Sequence, residues 1–148
     1  MLWFLVLAAS ATPAAGQQMS AAPVAAVVDH IALQVADPGV SADFYQRILG
    51  LSPFPQQVSQ SMRWVGSGTF QLHLIGGRTK PIDTETDTHF AFRVVNLVEK
   101  LQLLDRNHIK WSSADGVPHT VTTRVDGVLQ AYFHDPDGYR IEVNQAAK

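Results

Sequence analysis

The first clear pattern along the chain is strict alternation. Between Asp29 and Val35, Ile31, Leu33 and Val35 fall on one face and His30, Ala32 and Gln34 on the other, the period of a strand with one buried side. Ala36-Asp37-Pro38-Gly39 breaks the run. Ser41 then reads as a helix N-cap, with Phe44, Ile48 and Leu51 at helical spacing and Gly50 as the stop. Residues 52–60 hold two prolines and read as a loop or irregular edge. Met62–Val65 and Thr69–Ile75 read as a hairpin about Gly66-Ser67-Gly68. In its second strand Gln71, His73 and Ile75 lie opposite Phe70, Leu72 and Leu74, so His73 sits on a strand much as His30 does.

After a polar connector, Arg78 to Asp87, the pattern restarts. His89 begins a strand with Phe90, Phe92 and Val94 on the other face, and a helix follows from about Asn96 to Arg106 with Leu97, Leu101 and Leu104 as its apolar stripe. His89 follows His30 by 89 − 30 = 59 residues, and both are early residues of a strand-then-helix unit. A short strand at Lys110-Trp111 and strands at Thr120–Arg124 and Val128–His134 come next. The turn Asp135-Pro136-Asp137-Gly138 leads into Tyr139–Asn144, where Glu142 alternates with Ile141 and Val143. The chain reads as a duplicated β-α-β-β-β unit, with Glu142 on the last strand of the second copy where His73 is on the last of the first.

Composition narrows the chemistry. The chain has 148 residues, enough for one compact core, and a formal net charge of −2 gives no reason to expect nucleic acid or an anionic membrane as partner. It has no cysteine, which excludes disulfides, thiolate catalysis and cysteine-type zinc sites. Leu2–Ala9 is an apolar run of signal-peptide length, too short for a stable membrane span, and Ala14-Ala15-Gly16 offers a cleavage site. Residues 1–17 therefore read as a signal peptide and 18–27 as a flexible lead-in, with a periplasmic or secreted location expected.

His30, His73, His89 and Glu142 stand out because their positions repeat between the copies. If the two curved sheets face a common cleft, three imidazoles and one carboxylate converge there, a donor set suited to zinc, nickel, iron(II), cobalt or manganese. His108, His119 and His134 lie at a helix end, in a loop and beside a turn, and stay outside the set. Asp135 and Asp137 read as turn formers. No phosphate-binding glycine loop, nucleophile elbow or His-Glu-x-x-His helix is present.

HIALQVADPGVSADFYQRILGL resembles the opening signature of glyoxalase I, within the vicinal oxygen chelate superfamily, at His30, Ile31, Leu33, Val35, Ser41, Phe44, Tyr45, Leu49, Gly50 and Leu51. YFHDPDGYRIEV resembles that superfamily's Asp-Pro-Asp-Gly turn and glutamate strand. The resemblance implies an α+β domain at residues 28–148, with two paired βαβββ modules (about 28–77 and 87–146) forming a curved mixed sheet around a metal cleft. It implies metal ligands at His30, His73, His89 and Glu142, with Glu142 also moving a proton, and Tyr132, Arg140 and Arg93 lining the cleft. It further implies a small-molecule substrate that chelates through neighbouring oxygens, glyoxalase-like lyase or isomerase chemistry, and a homodimer in which one subunit supplies His30 and His73 and the other His89 and Glu142, or one chain that supplies all four. The departures are specific. His73 replaces the glutamate common in bacterial glyoxalase I, Gln34 the arginine that meets the glutathione carboxylate, and Arg93 a small or apolar residue. The alternatives the resemblance leaves are an extradiol-type dioxygenase using His30, His89 and Glu142, and a non-catalytic antibiotic-type binding protein.

Overall fold

The computed structural model describes residues 26–55, 59–83 and 87–145. The expected leader at residues 1–17 lies outside these, as does the lead-in except for its last two positions.

The alternating residues form the first strand, β1 (His30–Gln34), and Asp37 rather than Ser41 starts the following helix, α1 (Pro38–Phe44). The Asp37 carboxylate accepts from Gly39 N at 2.7 Å and Val40 N at 3.2 Å, and proline is tolerated in the first turn because its missing N–H has no intrahelical acceptor there. The helix continues as a π-helical turn, Tyr45–Leu49, which ends at Gly50 in the left-handed conformation (φ 74°). Then come β2 (Ser52–Pro53), β3 (Met62–Ser67) and β4 (Phe70–Ile75). The hairpin is tighter than expected, because β3 runs through Gly66 to Ser67. A Cβ on Gly66 would lie 2.1 Å from Phe70 O, so only glycine permits that closure.

The second unit repeats the order: β5 (Phe90–Arg93), α2 (Leu97–Arg106), β6 (Trp111–Ser112), β7 (Thr122–Thr123), β8 (Leu129–His134) and β9 (Arg140–Gln145). Asn96 caps α2 through Glu99 N, and Leu97, Leu101 and Leu104 are its buried stripe. The sheets have matching orders, β1-β4-β3-β2 and β5-β9-β8-β6, with β7 added beside β8. In both, the first and last strands of the unit pair in parallel and the rest are antiparallel. This is the duplicated α+β architecture expected from the repeat.

One core joins the two units. It takes Leu33 and Val35 from β1, Leu72 and Leu74 from β4, Ala131 and Phe133 from β8, Ile141 and Val143 from β9, and the inner faces of both helices. The Phe44 ring of α1 lies 6.3 Å from that of Phe133 on β8, so the first unit's helix packs against the second unit's sheet. Each such buried side chain contributes about 2–3 kcal/mol of transfer free energy.

Polar contacts fix the same junction. Asp137 accepts from Ala36 N (2.7 Å), Ser41 Oγ (2.8 Å) and the Arg78 guanidinium (2.7 Å), and Asp135 accepts from Tyr45 Oη–H at 2.7 Å. Asp135 and Asp137 are therefore more than turn formers. Ser41, expected as a cap, is a fully buried donor to the second unit. Burial pushes the Tyr45 phenol and the Asp135 carboxyl up. Burial also raises Asp137, but the Arg78 hydrogen bond, with those from Ala36 and Ser41, outweighs it and leaves the carboxyl below its usual range.

Candidate metal centre

Because Leu33, Leu72, Ile141 and Val143 face the shared core, the alternate residues of their strands face away from it. His30 and His73 lie on the outward face of the first sheet, and His89 and Glu142 on that of the second. Among the described residues no group of three or more histidine and carboxylate side chains is gathered at one point. The four expected ligands come as two pairs. Each pair lies on the side of its own sheet away from the shared core, and the two pairs stand apart.

In the second pair, His89 Nε2 lies 3.2 Å from Glu142 Oε2. His89 Nδ1 donates to Asp87 O at 2.6 Å, since a carbonyl only accepts, and this turns Nε2 toward the Glu142 carboxylate. Glu142 is buried. Its Oε2 accepts from Tyr132 Oη–H at 2.7 Å and its Oε1 from Asn144 Nδ2 at 2.6 Å. Burial raises the Glu142 carboxyl, but the hydrogen bonds from Asn144 and Tyr132, with His89 and Arg124 nearby, more than offset it and hold the group ionised below its usual range. Tyr132, buried and bonded to that carboxylate, is pushed up to about 12. Arg140 stacks over the Tyr132 ring at 4.3 Å and donates to Asp87 Oδ1 and Ala114 O, which ties the residue that orients His89 to the strand that carries Glu142.

In the first pair, His30 Nδ1 donates to Asp29 Oδ2 at 2.8 Å. His73 differs. Its ring is stacked between His30 (centroids 4.3 Å apart, planes 13° apart) and Trp64 (4.2 Å, 10°), and its Nε2 donates to Gln71 Oε1 at 3.0 Å. Burial lowers the His73 pKa, and His30 lowers it further, so the ring is held neutral. Two parallel rings direct their in-plane lone pairs side by side, so His73 must leave the Trp64 stack to share an ion with His30. The donor types fit a divalent ion, but as they stand only His89 and Glu142 lie within reach of one such ion, and the His73 ring is engaged by Trp64 and Gln71.

Sequence reasoning placed the four ligands and Tyr132 and Arg140, but missed Asp29, Asp87, Gln71 and Asn144. Asn144 was readable, since it shares the strand face of Glu142 two residues on. Asp87, acting through its carbonyl, carried no side-chain signal. His119 instead packs edge-on against Trp111 (5.0 Å) with Asp105 at 3.5 Å.

A duplicated βαβββ fold with matching histidine-bearing outer faces defines a class of small-molecule-binding and catalytic domains. The profile of the Glyoxalase/Bleomycin resistance protein/Dioxygenase superfamily matches residues 27–143, and the chain belongs to that superfamily. The protein "Glyoxylase I 4" of Arabidopsis thaliana is 25% identical over 127 residues, which cover 78% of this chain and 68% of the relative. Among solved structures, Oxidase ChaP-H2 superposes with a TM-score of 0.68 at 23% identity, covering 84% of this chain and 96% of that one. Lactoylglutathione lyase from Agrobacterium tumefaciens superposes with a TM-score of 0.61 at 16% identity, covering 82% and 94%. No helix among the described residues is long and apolar enough to cross a membrane.

Proposed function

We propose that the protein is a divalent-metal-dependent enzyme with glyoxalase-like lyase or isomerase chemistry on a small substrate with neighbouring oxygens. The observation that carries this is the His89–Glu142 pair, with the imidazole tautomer set by Asp87 and the carboxylate held ionised by Tyr132 and Asn144. His30, His89 and Glu142, joined by His73 after rotation, would hold the ion. When bound, it supplies Lewis acidity toward the substrate oxygens. Glu142 accepts and returns the substrate proton, and Tyr132 Oη–H steadies the carboxylate oxygen nearer to His89. Since each chain turns its two pairs outward on different sheets, the complete set is assembled by two copies related by a two-fold axis. The apolar stretch at residues 2–9 supports export of the chain to the periplasm or medium.

A second reading is favoured by His73. With that ring engaged by Trp64 and Gln71, the remaining donors are two histidines and one carboxylate, the set used by iron(II) oxygenases, and one structural neighbour is named an oxidase. Metal analysis of purified protein beside His89→Ala tests the shared premise. Stoichiometric metal lost in the variant supports it; protein that takes up no metal after reconstitution refutes it in favour of a binding module. Hemithioacetal isomerisation and aerobic catechol cleavage then separate the two enzymes.

A further inference from the structure

Away from the histidine and glutamate pairs, the edge of the second sheet carries a separate concentration of charge. β5 ends at Arg93, and the chain turns directly into α2. On α2, Lys100, Leu103 and Arg106 follow one another at three-residue steps along one side of the helix, with Glu99 at its margin. That side and Arg93 bound a cleft of about 450 Å³, with Leu49, Val94 and Leu103 as its apolar lining. Three cations meet one carboxylate there.

Among the described residues the Arg93 and Arg106 side chains make no hydrogen bond or ion pair. Lys100 is half-buried and donates to Ile48 O at 2.5 Å, which leaves two of its three N–H groups for another acceptor. Glu99 is its sequence neighbour, and adjacent helical side chains do not face each other. Glu99 still attracts the ammonium but makes no ion-pair contact with it, so an ammonium held partly out of water is a cost that a bound anion would relieve further. Unpaired surface arginines alone would not indicate a site. Here they flank a desolvated lysine.

The cleft is also not isolated. It shares Leu49, Arg93 and Val94 with an apolar cleft of about 300 Å³ lined by Ile31, Phe70, Phe90 and Phe92. That cleft in turn shares Ile31 and Phe90 with a third that reaches His89. Along one strand edge, about 13 Å from His89 to Arg93 at the usual strand rise, run an imidazole, an aromatic floor and a cationic end.

We propose that Arg93, Lys100 and Arg106 form a subsite for the carboxylate or phosphate of a small molecule whose apolar body lies over Ile31, Phe70, Phe90 and Phe92. The subsite narrows the substrate class of the proposed enzyme to anionic, amphipathic molecules. It rests on that reading only for which end of the molecule reacts.

The test is binding to the full chain without added metal, followed by amide NMR shifts, with phenyl phosphate, benzoate, inorganic phosphate and the neutral benzyl alcohol as probes. At least one of the two aryl anions is expected to bind saturably, tenfold or more tighter than benzyl alcohol, with shifts at Arg93 and Lys100. Which of the two prevails distinguishes phosphate from carboxylate, and weaker binding of inorganic phosphate than phenyl phosphate reports the apolar floor. Arg93→Gln with Arg106→Gln, both exposed and so compatible with folding, should weaken the anion tenfold or more, while Lys110→Gln, an exposed cation outside the cleft, leaves it unchanged. Equal binding of anion and alcohol, or wild-type affinity in the double variant, overturns the proposal. Loss of metal or activity in His89→Ala bears only on the enzyme reading.

Discussion

His73 and Glu142 occupy the same register position in the two sheets. His73 pairs with Ala32 on the parallel edge strand and Trp64 on the antiparallel one, and Glu142 pairs with Ala91 and Tyr132. Each alanine lies two residues after a histidine, His30 or His89. The aromatic partners differ in consequence. Trp64 stacks on the His73 ring, whereas Tyr132 donates to the Glu142 carboxylate.

From this asymmetry, Tyr132→Phe is expected to weaken divalent-metal affinity by about 10–100-fold without unfolding the protein, because it removes the donor that orients the Glu142 carboxylate. Competition with a metallochromic chelator reads this out. Trp64→Leu should act in the opposite direction by freeing His73, and an unchanged affinity would show that His73 is not a ligand.

The proposed assembly of the set by two copies makes a prediction about mixtures. His30→Ala and His89→Ala are each expected to lose metal alone. Co-refolded in equal amounts, half of the dimers would be mixed, each with one intact site, so about a quarter of the wild-type metal content should return by simple symmetry. No recovery would place the four ligands in one chain.

The Arg78–Asp137 contact governs acid stability. Its side chains are 14% and 4% exposed, so Asp137→Asn leaves a nearly buried guanidinium without its carboxylate and should cost about 3–5 kcal/mol in urea unfolding. The folded-state pKa of Asp137 is depressed, so its contribution is fully present above the unfolded value of 3.8 and is lost as pH falls through the folded pKa. Asp135, raised by burial, has the opposite sign: its ionisation subtracts stability as pH rises above 3.8 through its folded pKa. The wild-type protein should therefore lose more stability than Asp137→Asn below about pH 4, a difference visible in unfolding midpoints.

Fused to a reporter that is active only after export, residues 1–17 should direct it out of a bacterial cytoplasm, and deletion of residues 2–9 should retain it inside. Retention of the intact fusion would remove the export reading.

Much of this molecule could be read from short-range chemistry. Period-two alternation gives each strand two faces, so it was clear from the sequence that His30, His73, His89 and Glu142 lie opposite apolar residues, and the 59-residue spacing disclosed the duplication. The α2 stripe was equally plain. Ser41 is not the cap because the helix starts four residues earlier, where Asp37 accepts from Gly39 N and Val40 N, and a serine in a first turn looks the same in sequence whether it caps or is buried. The partners of Ser41 and Tyr45 lie 96 and 90 residues away. Two polar residues four apart on an otherwise apolar helix face were the available signal that something distant must accept from them.

What only the tertiary structure decided is which way the two units face. Local patterning sets the two sides of a sheet but not what covers them. That follows from Phe44 packing on Phe133, and from Asp135 accepting from Tyr45 and Asp137 from Ala36, Ser41 and Arg78, contacts whose energy exists only after both units have formed. They join the apolar faces inside one chain and turn the histidine faces outward. The sequence by itself determined the pairs; the packing of the units keeps them from meeting within one chain.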